Sequence, residues 1–99
     1  MYHIIWWAEV YRMRMEVSLV PYDHRMMGNV IRTVRKQKGK SQDVISGFAG
    51  LDRTHLAKIE LGHHSASVET LWAVAEALDM RLSDLFRMVE EELDKIESE

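Results

Sequence analysis

Hydrophobic and polar residues alternate from Tyr11 to Leu19, where Tyr11, Met13, Met15, Val17 and Leu19 are separated by Arg12, Arg14, Glu16 and Ser18. A period of two predicts a half-buried strand, and Pro21 ends it. Upstream, Tyr2, Ile4, Trp6, Ala8 and Val10 occupy even positions, so the apolar parity flips near Val10 and Tyr11, as at a bulge or a tight reversal. A strand needs a neighbour for its amides and its apolar face. Residues 2–8 folded back as a hairpin would supply one, and the same strand of a second subunit would supply another. Ala8-Glu9 lacks the Gly or Asn of hairpin turns, which favours the intersubunit sheet. The plainer alternative is an upstream extension of a shorter native chain, since Met26 or Met27 could serve as its start.

After Asp23 the period becomes helical. A first helix is predicted from about Asn29 to Lys38, with Ile31 and Val34 inward and Gly39 ending it. Ser41 opens a second, through Ile45 and Ala49 to Gly50. Asp52 opens a third, which ends at Gly62. Ser67 caps a fourth, with Val68, Leu71, Val74, Ala75 and Leu78 at helical spacing, and Ser83 caps a fifth, with Leu85, Phe86, Val89, Leu93 and Ile96. Five short helices in about 70 residues make a compact all-α domain. The whole chain reads as mainly α: an N-terminal strand arm (1–22), a helical domain (23–87) and an acidic extension of the last helix (88–99).

The third helix is the informative one. In "LDRTHLAKIELG" (51–62) only Leu56 and Ile59 face one way at about 100° per residue, while Thr54, Ala57, Lys58 and Leu61 face the other, with Arg53 at the leading edge. A thin stripe goes inward and a mixed, partly basic face goes outward. The preceding turn, Ala49-Gly50-Leu51-Asp52, is minimal: Gly50 is free to adopt a left-handed backbone and Leu51 to plug the corner. Small residues Ser46, Gly47 and Ala49 let the two helices approach closely. This is the grammar of a helix-turn-helix.

Charge sharpens the picture more than the formal net of −3 suggests. Residues 28–58 carry seven Lys or Arg against two Asp, whereas residues 88–99 carry six acidic side chains against Lys95. The middle is basic and the tail is acidic. With 99 residues, 46% of them hydrophobic, the chain supports one core rather than two. It contains no cysteine, which excludes disulfides and thiolate metal sites and fits the cytoplasm. The apolar run Ile4-Ile5-Trp6-Trp7-Ala8 is too short for a membrane span and lacks the flanks of a signal peptide, so neither membrane insertion nor secretion is expected.

Three motifs, "IRTVRKQKGKSQ" (31–42), "AGLDRTHLAKIELG" (49–62) and "SVETLWAVAEALDMRLSDLF" (67–86), make residues 28–87 resemble the lambda-repressor-like, or Xre, family of helix-turn-helix transcriptional regulators. The resemblance implies a DNA-contacting set of Lys40, Ser41, Gln42, Asp52, Arg53, Thr54, His55 and Lys58. Within it, Gln42 would meet a backbone phosphate near helix N-terminal amides, and Arg53, Thr54 and Lys58 would reach base edges and flanking phosphates in the major groove. Arg53 is the foremost sequence reader, because a guanidinium grips guanine O6 and N7 with two hydrogen bonds. Arg35 and Glu60 match a family ion pair that joins the first helix to the third. Four positions depart from the pattern: Leu61 and His63-His64 stand where polar or basic residues are usual, and Phe48 occupies a position that is normally polar.

The plain readings carry weight too. Clustered Lys and Arg are more often a solvated face than a nucleic-acid footprint, and here the turn and the spacing reverse that preference. His55 with His63-His64 lacks carboxylate or cysteine partners at ligand spacing, so no metal is expected. Trp6, Trp7 and Trp72 are expected in core or interface packing. No nucleophile–base pair, phosphate-binding glycine loop or carboxylate dyad is visible, so neither enzyme activity nor a cofactor is expected. The leading expectation is a homodimeric repressor on a pseudo-palindromic double-stranded DNA operator, dimerised through Met13, Met15, Val17 and Leu19 and through Val89, Leu93 and Ile96. Two others stand beside it: an antitoxin-type module that binds DNA and a partner protein, and a helix-turn-helix used for protein contacts alone.

Overall fold

A computed structural model of the protein describes residues 22–98. Five helices follow one another: α1 His24–Gln37, α2 Gln42–Ala49, α3 Arg53–Glu60, α4 Val68–Ala77 and α5 Leu82–Ser98. No strand occurs among the described residues, so the fold class is corrected from mainly α with a strand arm to all-α. Alternation is a local signal, whereas a strand also needs a neighbouring edge to pair with, and no described segment offers one. The strand read at 11–19, with Met13, Met15, Val17 and Leu19, lies outside the described residues.

The helices begin and end for identifiable reasons. Asp23 caps α1, its Oδ1 accepting from the Arg25 amide at 2.9 Å. Ser41 and Ser67 do the same for α2 and α4, accepting from Val44 and Thr70 at 3.1 Å. Asp52 occupies the N-cap position of α3 without a side-chain capping bond. The N-cap of α5 is corrected from Ser83 to Arg81, whose amide donates to Asp84 Oδ2 at 3.0 Å. The C-terminal ends of α1 to α4 share one device, a left-handed residue whose successor donates back into the last turn. Leu51 N–H reaches the Ser46 carbonyl at 2.9 Å just after Gly50 (φ 70°). At the end of α4 that conformation falls to a non-glycine, Asp79 (φ 57°), with Met80 N–H on the Ala75 carbonyl at 2.9 Å.

Helix α1 starts five residues before the predicted Asn29. Gly28 disfavours a helix interior, yet it sits inside α1 because the backbone of α3 passes over it: a Cβ there would overlap the Ile59 carbonyl oxygen. This close crossing brings Met27 and Ile31 of α1 onto Leu56 and Ile59 of α3. Ile45, Val74, Leu85 and Val89 complete the fully buried centre. Val89 is 1% exposed within the chain's own core and presents almost no surface to a partner; Leu93 is half-buried and Ile96 is 48% exposed. Of the two places expected for Trp72, the core is excluded. Trp72 stands 58% exposed on α4, its indole N–H donating to Glu76 Oε1 at 2.8 Å.

Candidate nucleic-acid interface

The close packing of α1 on α3 buries one polar cluster. Arg35 of α1 and Glu60 of α3 meet in a two-pronged ion pair, Nε to Oε2 at 2.7 Å and Nη2 to Oε1 at 2.9 Å. The remaining prong, Nη1, donates to the Lys40 carbonyl at 2.9 Å. The carboxylate raises the guanidinium pKa, chiefly through these hydrogen bonds, so Arg35 stays charged despite its burial. Glu60 Oε1 also accepts from Gln42 Nε2 at 3.0 Å. No buried side-chain nitrogen or oxygen among the described residues lacks a partner.

This cluster forms the floor of an open cleft of about 520 Å³, bounded by Arg32 and Lys36 of α1, Ser41, Gln42 and Asp43 at the start of α2, and Arg53, Ala57 and Leu61 around α3. One amide hydrogen of Gln42 is held by Glu60, which leaves its second for a ligand in the cleft. The first amides of α2 have no intrahelical carbonyl to bind; that of Val44 is taken by Ser41 Oγ, and Ser41, Gln42 and Asp43 at this helix start line the cleft. Helix α2 then turns through Gly50-Leu51-Asp52 into α3, and Ser46, 3% exposed, allows the two to pack at short range.

The outward face of α3 follows from the burial of Leu56, Ile59 and Glu60 on the other side. Arg53, Thr54 and Lys58 are exposed, His55 is half-buried, and Asp52 precedes them in solvent. Arg53 Nε lies 3.6 Å from Asp43 Oδ1, an exposed ion pair between α2 and α3. The His55 and His64 rings meet edge to face at 6.1 Å between centroids. Of the eight residues expected to contact DNA, the cleft brings together Ser41, Gln42 and Arg53; Asp52, Thr54, His55 and Lys58 lie along α3 outside its lining, and Lys40 is exposed just before Ser41. Sequence reasoning counted Arg32 and Lys36 as charge without placing them. Their i, i+4 spacing on α1 was the available signal. It also missed Asp43, for which no local pattern exists. No group of three His, Cys, Asp or Glu among the described residues could hold a metal ion.

The sequence pattern of the helix-turn-helix family matches residues 31–85, more than half of the chain. This chain belongs to the helix-turn-helix family. Its type is that of the Xre and controller-protein regulators, which bind DNA. A curated relative is the HTH-type transcriptional regulator SlrR of Bacillus subtilis, 39% identical over 62 residues. That match covers 62% of this chain and 41% of SlrR, so the helix-turn-helix chain spans less than half of that relative's length. The control protein C.MunI of a Mycoplasma species is 35% identical over 66% of this chain and 89% of its own. Among solved structures, the restriction-modification controller protein C.AhdI of Aeromonas hydrophila superposes with a TM-score of 0.61 at 31% identity, covering 63% of this chain and 94% of its own. No described helix of this helix-turn-helix protein is long and apolar enough to cross a membrane.

Proposed function

We propose that this protein is a sequence-specific regulator of the cytoplasm, a dimeric repressor that lays α3 in the major groove of a pseudo-palindromic operator and occludes a promoter. The observation that carries the reading is the exposed row of Arg53, Thr54 and Lys58 on α3, with the cations Arg32 and Lys36 lining the same cleft as Arg53. In this reading Arg53 grips a guanine, Thr54 and His55 meet neighbouring base edges or sugar, and Lys58 neutralises a phosphate. Ser41 Oγ–H and Gln42 Nε2–H donate to a phosphate of the adjoining strand at the start of α2.

One such domain spans few base pairs, and two-fold pairing on half-sites about 34 Å apart is the geometric solution. Leu93 and Ile96, which continue the apolar stripe of α5 past the core, support a second copy as the covering partner. Selection of bound sites from a random duplex library, followed by titration against salt, tests the whole reading. A pseudo-palindromic consensus and a steep negative slope of log K on log salt are expected. Absence of any salt-dependent duplex binding overturns it and leaves a domain used for protein contacts alone.

A second reading, a module that also binds a partner protein, draws on Phe48 of α2, 79% exposed, and Trp72 of α4, 58% exposed. A defined partner lost on Phe48→Ser or Trp72→Ser, with duplex binding retained, would establish it.

A further inference from the structure

Asp43 is out of place in a cleft meant only to attract phosphates. Of the two carboxylates that line it, Glu60 is committed to Arg35 and Gln42 with its side chain 2% exposed, whereas the side chain of Asp43 is 78% exposed among Arg32, Lys36 and Arg53. A bare carboxylate there repels the backbone of any duplex that docks. An aspartate in a first helical turn gains slightly from the helix dipole, and a glutamate would serve that end as well. The remaining role is its contact with Arg53.

We propose that Asp43 is a positioning residue for Arg53 and thereby sets the sequence discrimination of the DNA site, an inference that rests on the reading of α3 as the groove-reading helix. The contact at 3.6 Å is too long for a hydrogen bond, and both partners are exposed, so it contributes little to the fold. Its value lies in orientation. The shortest approach of the carboxylate is to Nε, and no described residue hydrogen-bonds the guanidinium, so its Nη1 and Nη2 hydrogens remain available to meet guanine O6 and N7 together. The same carboxylate gives Arg53 a local counter-charge. On a wrong sequence, Arg53 must give up Asp43 to reach a phosphate, whereas on the right one it keeps Asp43 and gains the base. Non-specific binding is weakened and specific binding is retained, which is discrimination by penalty.

The test measures affinity for the selected duplex and for a scrambled duplex at one salt concentration, using the full chain, Asp43→Asn, Arg53→Ala and the double variant. Asp43→Asn is expected to tighten scrambled-duplex binding and to lower the ratio of the two affinities about tenfold, within the range of one bidentate base contact. In the Arg53→Ala background the same change leaves the ratio where Arg53→Ala alone put it. Thermal melting stays near that of the parent, and Asp43→Ser, which keeps a capping-type side chain, repeats the result. An unchanged ratio in Asp43→Asn overturns the proposal while the groove-reading role stands. An equal effect with and without Arg53 also overturns it, because that is plain repulsion of phosphates. A parent chain that prefers no duplex removes both readings together.

Discussion

Replacing Arg35 with methionine isolates what the buried ion pair contributes. The substitution keeps most of the side-chain volume and removes three hydrogen bonds at once, two to Glu60 and one to the Lys40 carbonyl. Glu60 is left with its side chain 2% exposed and only the Gln42 amide as donor. An uncompensated buried charge of this kind costs about 3–5 kcal/mol, against a total stability of about 5–15 kcal/mol for a domain. At about 4–8 °C per kcal/mol for a domain this small, the melting temperature should fall by more than about 10 °C. Urea unfolding followed by circular dichroism, at several protein concentrations to separate any assembly term, gives the same loss as a shift in midpoint with unchanged slope. The double variant Arg35→Met/Glu60→Leu removes both charges and should recover most of the loss. A single variant costing under about 1 kcal/mol, the value of an exposed pair, would refute the argument. So would a double variant as unstable as the two singles added together.

Gly28→Ala should destabilise by about 1–3 kcal/mol in the same unfolding assay, because the added methyl meets the Ile59 carbonyl and overrides the roughly 1 kcal/mol that alanine gains over glycine in a helix. Leu56→Ala, at a position with no exposure, should cost about 2–5 kcal/mol by emptying the contact between α1 and α3. Asp23 is held at a pKa of about 2, below its ordinary 3.8, chiefly by the Arg25 side-chain hydrogen bond. Its depressed pKa means its contribution is present above about pH 4 and is lost as pH falls towards 2, so Asp23→Asn should flatten the acid limb of a stability–pH profile in that window. Leu93→Ser with Ile96→Ser should shift light scattering from dimer to monomer at tens of micromolar while the melting of the domain persists.

Much of the helical plan was legible because its signals are local. Ser41, Ser67, Gly39, Gly50 and Gly62 act through hydrogen bonds to residues within a turn of themselves, or through their own φ, so their meaning does not depend on the rest of the chain. The inward pair Leu56 and Ile59 and the outward row Arg53, Thr54 and Lys58 follow from the helical period alone. Departures arose where one element decides the state of another. Gly28 reads as a poor helix former until the α3 backbone crosses it, and Val89 reads as spare apolar surface until the core closes over it. Trp72, with the same apolar credentials, is left outside. A two-residue period at 11–19 states that one face is apolar and not what would pair with it, and the five described helices supply no strand edge.

The sequence by itself determined which segments become helices, where most of them stop and which face of each turns inward, since propensity, capping and periodicity operate over a few residues. The family resemblance already paired Arg35 with Glu60; only the tertiary structure decided that Gln42 hangs from Glu60, that the third prong of Arg35 goes to the Lys40 carbonyl, and that Asp43 stands beside Arg53. Those residues lie up to 25 positions apart, and their distances are set by how closely α1 and α3 pack at Gly28 and how sharply the chain turns at Gly50. A shift of an ångström in either would separate the groups without altering a single local signal.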